Sequence, residues 1–283
     1  MHLRFLILLI LALSITGCAS IINSASEKMA DNLSRAMLNQ NDLEIVSSGL
    51  PAYLIMVDSL VEGDPKNTSV LISAAKLNGA YTAAFVQDEE RQKRLSEKSF
   101  GFARKALCLD IKPVCDKLNG DLETLHAELN RLNAKQQPLL YNFAVSWAGW
   151  IQAHSDDWNA VAQIPKLTAL FKRSAQLNPD YDFGGAYVYL GVLAAQIPPS
   201  LGGKPEQARV YFETAEKISD GKNLMVDVLF AEHYARLVFD QDLHDRLLKK
   251  VLVARAEVPG LTLINTLAQK RAAQLLQQSD DFF

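Results

Sequence analysis

Several groups of residues in this sequence have types and spacings from which chemistry could be built, and each falls short of a complete set. Glu232-His233 in "AEHYAR" begins like a zinc-binding helix, but no His follows at the spacing that puts two imidazoles on one face. "HSDDW" sets His154 beside Asp156 and Asp157, an arrangement open to acid–base or metal chemistry. A polar turn with a helix-capping Asp is the favoured reading there. Leu201-Gly202-Gly203-Lys204 ahead of a helix has the look of an anion-binding helix start. It lacks the first Gly and the Lys-Ser/Thr ending of a phosphate loop, so its Gly pair is read as supplying unusual backbone angles. There is no Gly-x-Ser-x-Gly elbow. The acidic pairs Glu89-Glu90, Asp156-Asp157 and Asp280-Asp281 fall in turns or on polar faces, where water accounts for them. No catalysis and no cofactor are expected.

Cysteine carries the remaining reactive chemistry. Cys108 and Cys115, in "CLDIKPVC", are close enough in sequence for a disulfide or for two buried thiols. They are too few for a metal without clustered His or further Cys. Cys18 stands differently. Arg4 gives a short positive start, residues 5–13 are all apolar, and Ile15-Thr16-Gly17-Cys18 follows. That order is a secretory signal whose end resembles the bacterial lipobox. The resemblance implies cleavage before Cys18, lipid on its sulfur and amine, and, with Ala19 rather than Asp next, an outer-membrane address facing the periplasm. Several acyl chains anchor a protein stably where one does not.

The elements that must position these groups are helical. Apolar residues recur every three or four positions almost throughout, and no run alternates as a strand does. Pro, Gly and Asx breaks near 49–51, 63–65, 113, 138, 155–157, 178–180, 198–199, 219–221, 240 and 259–260 divide the chain into about ten to twelve helices. No later run is read as a bilayer span. The signal's loss takes Arg4 and moves the formal charge from −3 to −4. A weakly acidic chain without a Lys/Arg stripe has no electrostatic reason to seek nucleic acid.

The helices repeat in pairs. Tyr187, Leu190, Gly191 and Ala194, then Ala208, Phe212 and Ala215, follow the tetratricopeptide plan, with "IPPSLGG" enlarging the turn between them. Small residues there let two helices approach, and large ones fill the space between pairs. Trp147, Ala148 and Ile151, then Leu167, Phe171, Ser174 and Pro179, repeat the plan around "HSDDWNAVAQIP". Ala74, Leu77, Asn78 and Tyr81, then Ser99, Ala103 and Ala106, match more loosely, and residues 224–252 form another pair. The expectation is an all-α, solenoid-like array of cryptic tetratricopeptide hairpins. Its parts are a cleaved signal (1–17), a lipidated tether (18–30), the repeat domain (31–278) and a short tail (279–283). Trp147, Trp150, Trp158, Tyr181, Phe183 and Tyr187 crowd the two enlarged repeats. Core packing and the lining of an apolar groove both remain open for them.

"WAGWIQ", "LNPDYDFGGAYVYLGVLAA", "PPSLGGKPEQARVYFETA", "AEHYARLVFDQDLHDRLL" and "PGLTLINTLAQKRAA" resemble the TatT family. These are lipoproteins associated with tripartite ATP-independent periplasmic (TRAP) transporters. The likeness spans roughly residues 140–275 and is looser before that. It implies a homotrimer with a pore or concave channel in each protomer, docked by the transporter's periplasmic solute receptor and helping to hand it a small apolar ligand, for which an organic acid is one candidate and whose identity the resemblance leaves open. The other reading is a general envelope scaffold for outer-membrane or wall assembly. The enlarged turns and the Trp-rich helix favour the first, since a plain scaffold needs neither.

Overall fold

A computed structural model describes Asn32 and residues 35–196 and 203–283. Its α-helices are α1 (Leu43–Gly63), α2 (Thr68–Phe85), α3 (Glu89–Asp110), α4 (Lys112–Lys117), α5 (Leu122–Asn130), α6 (Gln137–Ala153), α7 (Trp158–Val161), α8 (Ile164–Leu177), α9 (Gly185–Ala194), α10 (Pro205–Ser219), α11 (Leu224–Leu229), α12 (Gln241–Val253), α13 (Thr262–Gln277) and α14 (Ser279–Phe282). A 3-10 turn at Tyr181–Gly184 enters α9, and a π-helical turn at Phe230–Ala235 extends α11. No strand occurs among the described residues. Ten of these helices exceed six residues, and the four shortest are single turns or little more.

Local chemistry explains most boundaries. Asp42, Asn67, Asp88, Asp121, Asp157, Asn223 and Asp240 each accept a backbone N–H from the first turn of the helix they precede. Such caps contribute about 1 kcal/mol apiece. Pro starts α4, α6, α8 and α10, where its missing N–H costs nothing. The break expected at 49–51 is absent. Pro51 lies inside α1, because Val46, Leu50, Leu54, Val57 and Val61 form one continuous buried face across it. That burial outweighs the hydrogen bond the proline removes. α1 also has the length and apolarity of a membrane span, contrary to the expectation that no run after the signal does. No charge falls between Glu44 and Asp58. Its inner face is nevertheless packed on α2 and Val86.

The long helices stack in chain order. α2 pairs with α3, α3 meets α6, α6 packs on α8, α8 on α9, α9 on α10, and α11 with its π-turn on α12 and α13. The α4–α5 hairpin steps out of this row and α5 rests on α8. Ser99 Oγ donates to the Ala75 carbonyl at 2.8 Å, tying α3 to α2 where small residues face each other. In the next such contact Gly191 lies under the ring of Phe212, so close that a Cβ would stand 2.9 Å from Phe212 Cζ. Only glycine permits that approach. The row curls far enough for α13 to touch α1, with Leu263 against the Val46–Leu50–Leu54 cluster and Gly260 N–H donating to Asn39 Oδ1 at 2.7 Å. Residues 279–283 are not a free tail. Ser279 is buried and donates to Asp245 Oδ1 at 2.7 Å, while Phe283 meets the ring of His244 edge-on.

The sulfurs of Cys108 in α3 and Cys115 in α4 are bonded, with Cα atoms 5.0 Å apart, folding α4 back onto α3. Closing so short a loop stabilises by about 2 kcal/mol. Reductant, or Cys108→Ser with Cys115→Ser, is therefore expected to lower Tm by roughly 4–8 °C. A thermal melt indifferent to reductant would contradict the bond.

Candidate functional site

The aromatic residues singled out by the sequence divide into three environments. Trp147 and Trp150 both stack on Phe100 of α3, at 6.0 and 5.4 Å between ring centres, and Phe143 completes the cluster. Trp147 is buried, so its energy goes into joining α3 to α6. Trp150 is half-buried and stacks at 4.7 Å on His154, whose Nδ1 lies 2.8 Å from the Trp150 carbonyl. "HSDDW" is a structural turn. Asp157 caps α7, and Asp156 takes a 2.8 Å hydrogen bond from Lys93 that holds its carboxyl below the ordinary value. No cluster of three His, Cys, Asp or Glu able to hold a metal occurs among the described residues. Trp158, the first residue of α7, is 84% exposed. The turn ends by pushing an indole into water.

The second environment is a strained corner. After Asn178-Pro179, Asp182, Phe183 and Gly184 run consecutively left-handed, with φ of 52°, 54° and 79°. For the two residues with side chains this costs roughly 1–2 kcal/mol each. Tyr141 of α6 holds the corner by donating to Asp182 Oδ2 at 2.6 Å. Burial, then the Asp182 charge, pushes the Tyr141 phenol well above its ordinary value, so it stays a donor. Gly185 leaves room for that hydroxyl, since a Cβ would collide with it. Tyr181 meets Tyr141 edge-on at 5.2 Å and remains half-buried. Phe183 is turned outward. Strain of this kind is retained where surrounding structure over-determines it, and it often marks a working surface.

The third environment was not predicted. A cavity of about 270 Å³ lies between α8 and α10, floored by Leu190, Leu193 and Ala194 of α9. Thr168 and Lys172 come from α8, Gln207 and Tyr211 from α10, and Gly203-Lys204 from the chain entering α10. Tyr187 reaches this region through Tyr211, their ring centres 6.3 Å apart. Lys172 and Tyr211 carry no sequence signal of their own, whereas Lys204 ends the Leu201-Gly202-Gly203-Lys204 run that has the look of an anion-binding helix start. The enlarged turn at 197–203 was the available clue, and residues 197–202 of it lie outside the described residues, as does Cys18.

Comparison with known proteins gives this geometry a family. The sequence profile of TAtT, described as the TRAP transporter T-component, matches residues 39–283. An uncharacterized protein of Treponema pallidum (strain Nichols) is 22% identical over 270 residues, covering 89% of this chain and 84% of its own. The match takes in every described helix from α1 to α14, including the enlarged repeats. The chain belongs to the TRAP transporter T-component family.

Proposed function

We propose that this protein is a non-enzymatic adaptor that binds the periplasmic solute receptor of a TRAP-type transporter through its helical repeats and handles the receptor's ligand, a small apolar organic acid. In this reading it is lipid-anchored through Cys18 in the outer membrane, faces the periplasm and assembles as a homotrimer. The observation that carries it is the family match over residues 39–283. Three features support the finer parts. The curled row, whose last long helix returns to its first, suits a protomer that encloses a channel. The exposed Trp158 and the strained corner that turns out Phe183 suit a contact surface. The outer side of α1 exposes Ile45, Ile55, Met56 and Leu60, whereas the end helix of a free-standing array needs a polar outer face. That stripe suits a protein neighbour.

The test is capture from a periplasmic extract with the mature chain lacking Cys18, read by mass spectrometry. Recovery of a TRAP-type solute receptor supports the proposal. Recovery of outer-membrane assembly or wall enzymes without a receptor overturns it and leaves a general scaffold. Trp158→Ala is expected to weaken the receptor complex by about 2 kcal/mol, roughly thirty-fold in Kd, with little change in stability. Tyr181→Ala is expected to weaken it as well, with a larger loss of Tm because Tyr181 touches Tyr141. Equal losses of stability in both variants, with no change in binding, would reduce both rings to packing.

A further inference from the structure

The cavity between α8 and α10 joins an apolar floor to a cationic rim. Leu190, Leu193 and Ala194 offer it only hydrocarbon. Lys172 comes from α8 and Lys204 from the chain entering α10, and neither has a carboxylate within salt-bridge distance among the described residues. Among the described residues no acidic side chain lines the space. Glu206, the acid nearest in sequence, lies 3.4 Å from the Tyr234 hydroxyl, which donates to it, and is absent from the cavity wall. Lys204 also precedes the first turn of α10, where no side chain among the described residues caps the backbone N–H groups and the helix dipole is positive. Tyr211, whose phenol burial holds above its ordinary value, stays a neutral hydroxyl on the wall.

The geometry points to a binding site for a short amphipathic carboxylate, its chain on Leu190, Leu193 and Ala194 and its head between Lys172 and Lys204. This rests on the ligand-handling reading above and gives that reading a place and a chain length. Two apolar-stemmed ammoniums suit one small anion. A space of about 270 Å³ falls just below the range for drug-sized sites, about 300–1,000 Å³, and so suits a medium chain rather than a membrane lipid. A neutral alcohol of equal length would keep the floor and lose the rim, and an alkylammonium would meet like charge.

Calorimetric titration of the mature chain with octanoate tests this, with octan-1-ol and octylammonium as controls. Octanoate is expected to bind saturably at one site per protomer. Lys172→Gln and Lys204→Gln are each expected to weaken it about tenfold, the loss typical of one hydrogen bond to a charged group. Octan-1-ol is expected to bind more weakly in the unmodified chain and to ignore both substitutions. Leu193→Trp, which fills the floor, is expected to abolish octanoate binding. Both lysines are exposed, so these variants should fold, and a melt verifies it. Absence of octanoate binding, binding indifferent to the lysine variants, or equal affinity for octan-1-ol overturns the site. Receptor capture is scored separately with the unmodified chain. Failure of the carboxylate titration with capture intact therefore sinks this site alone, whereas loss of capture sinks the transport reading.

Discussion

Gly191→Val should be among the most destabilising single substitutions in the chain, costing about 3 kcal/mol and lowering Tm by roughly 6–12 °C. The Gly191 Cα faces the ring of Phe212, and even a single added carbon would stand 2.9 Å from Cζ and 3.0 Å from both Cδ atoms. Phe212 has nowhere to go. It is fully buried and stacks on Phe230 at 5.2 Å, so displacing it disturbs the contact between α10 and the π-helical turn beyond it. Close-packed interiors transmit such strain instead of absorbing it. Phe212→Leu in the Gly191→Val background should recover part of the loss by opening space. The measurement is chemical denaturation of the three chains. A Gly191→Val variant within 0.5 kcal/mol of the parent, the usual range of a surface change, would show that α9 and α10 are not held at this distance.

Lys250→Met is the second substitution expected to cost much, and its cost should depend on pH. Asp227 of α11 is 1% exposed, and its Oδ2 lies 2.9 Å from Lys250 Nζ of α12, which also pairs with Glu216 of α10. One ammonium thus ties three successive helices together. Burial raises the Asp227 carboxyl above its ordinary value of 3.8, and Lys250 offsets only part of that. Removing the ammonium leaves a buried carboxylate without its ion partner. The loss should be about 2 kcal/mol at neutral pH, below the 3–5 of a fully enclosed pair because Lys250 itself is partly in water. The sign with pH follows from proton uptake. A carboxyl with a raised folded pKa binds more protons folded than unfolded, so its contribution is most favourable at acid pH and is lost as pH rises through the folded value. Lys250→Met raises that value further. The deficit should be largest near pH 7.5 and shrink toward pH 5, and Asp227→Asn should relieve much of it. Equal deficits at both pH values, or no relief by Asp227→Asn, would remove the ion pair from the account.

The pairing of helices was legible because it rests on local patterns. Tyr187-x2-Leu190-Gly191 and Ala208-x3-Phe212 specify a close glycine contact and the ring that fills it, and the structure brings those two residues together. Capping was legible for the same reason. Asp157 in "HSDDW" caps α7, as a short acidic side chain before a helix should. Pro51 was misjudged because a local rule for proline met a tertiary fact, five apolar residues on one face with a partner helix to cover them. The contacts of the last five residues were illegible for the same reason. Nothing within "SDDFF" announces that Ser279 will find Asp245, or Phe283 the ring of His244.

By itself, then, the sequence determined the class of the fold, the order of its hairpins, the family and the aromatic repeats that deserved attention. Each of these depends on spacing along a helix or on residues adjacent in the chain. Only the tertiary structure decided which aromatic rings are core and which are surface. Trp147 and Trp158 look alike in sequence, yet one is packed against Phe100 and the other stands in water, because α3 covers α6 and nothing described covers the start of α7. The return of α13 to α1 and the left-handed run at Asp182–Gly184 likewise belong to the whole. The cavity shared by Lys172 and Lys204 is assembled from three helices that meet only after the row has stacked, and the burial that creates it has no counterpart in any local pattern.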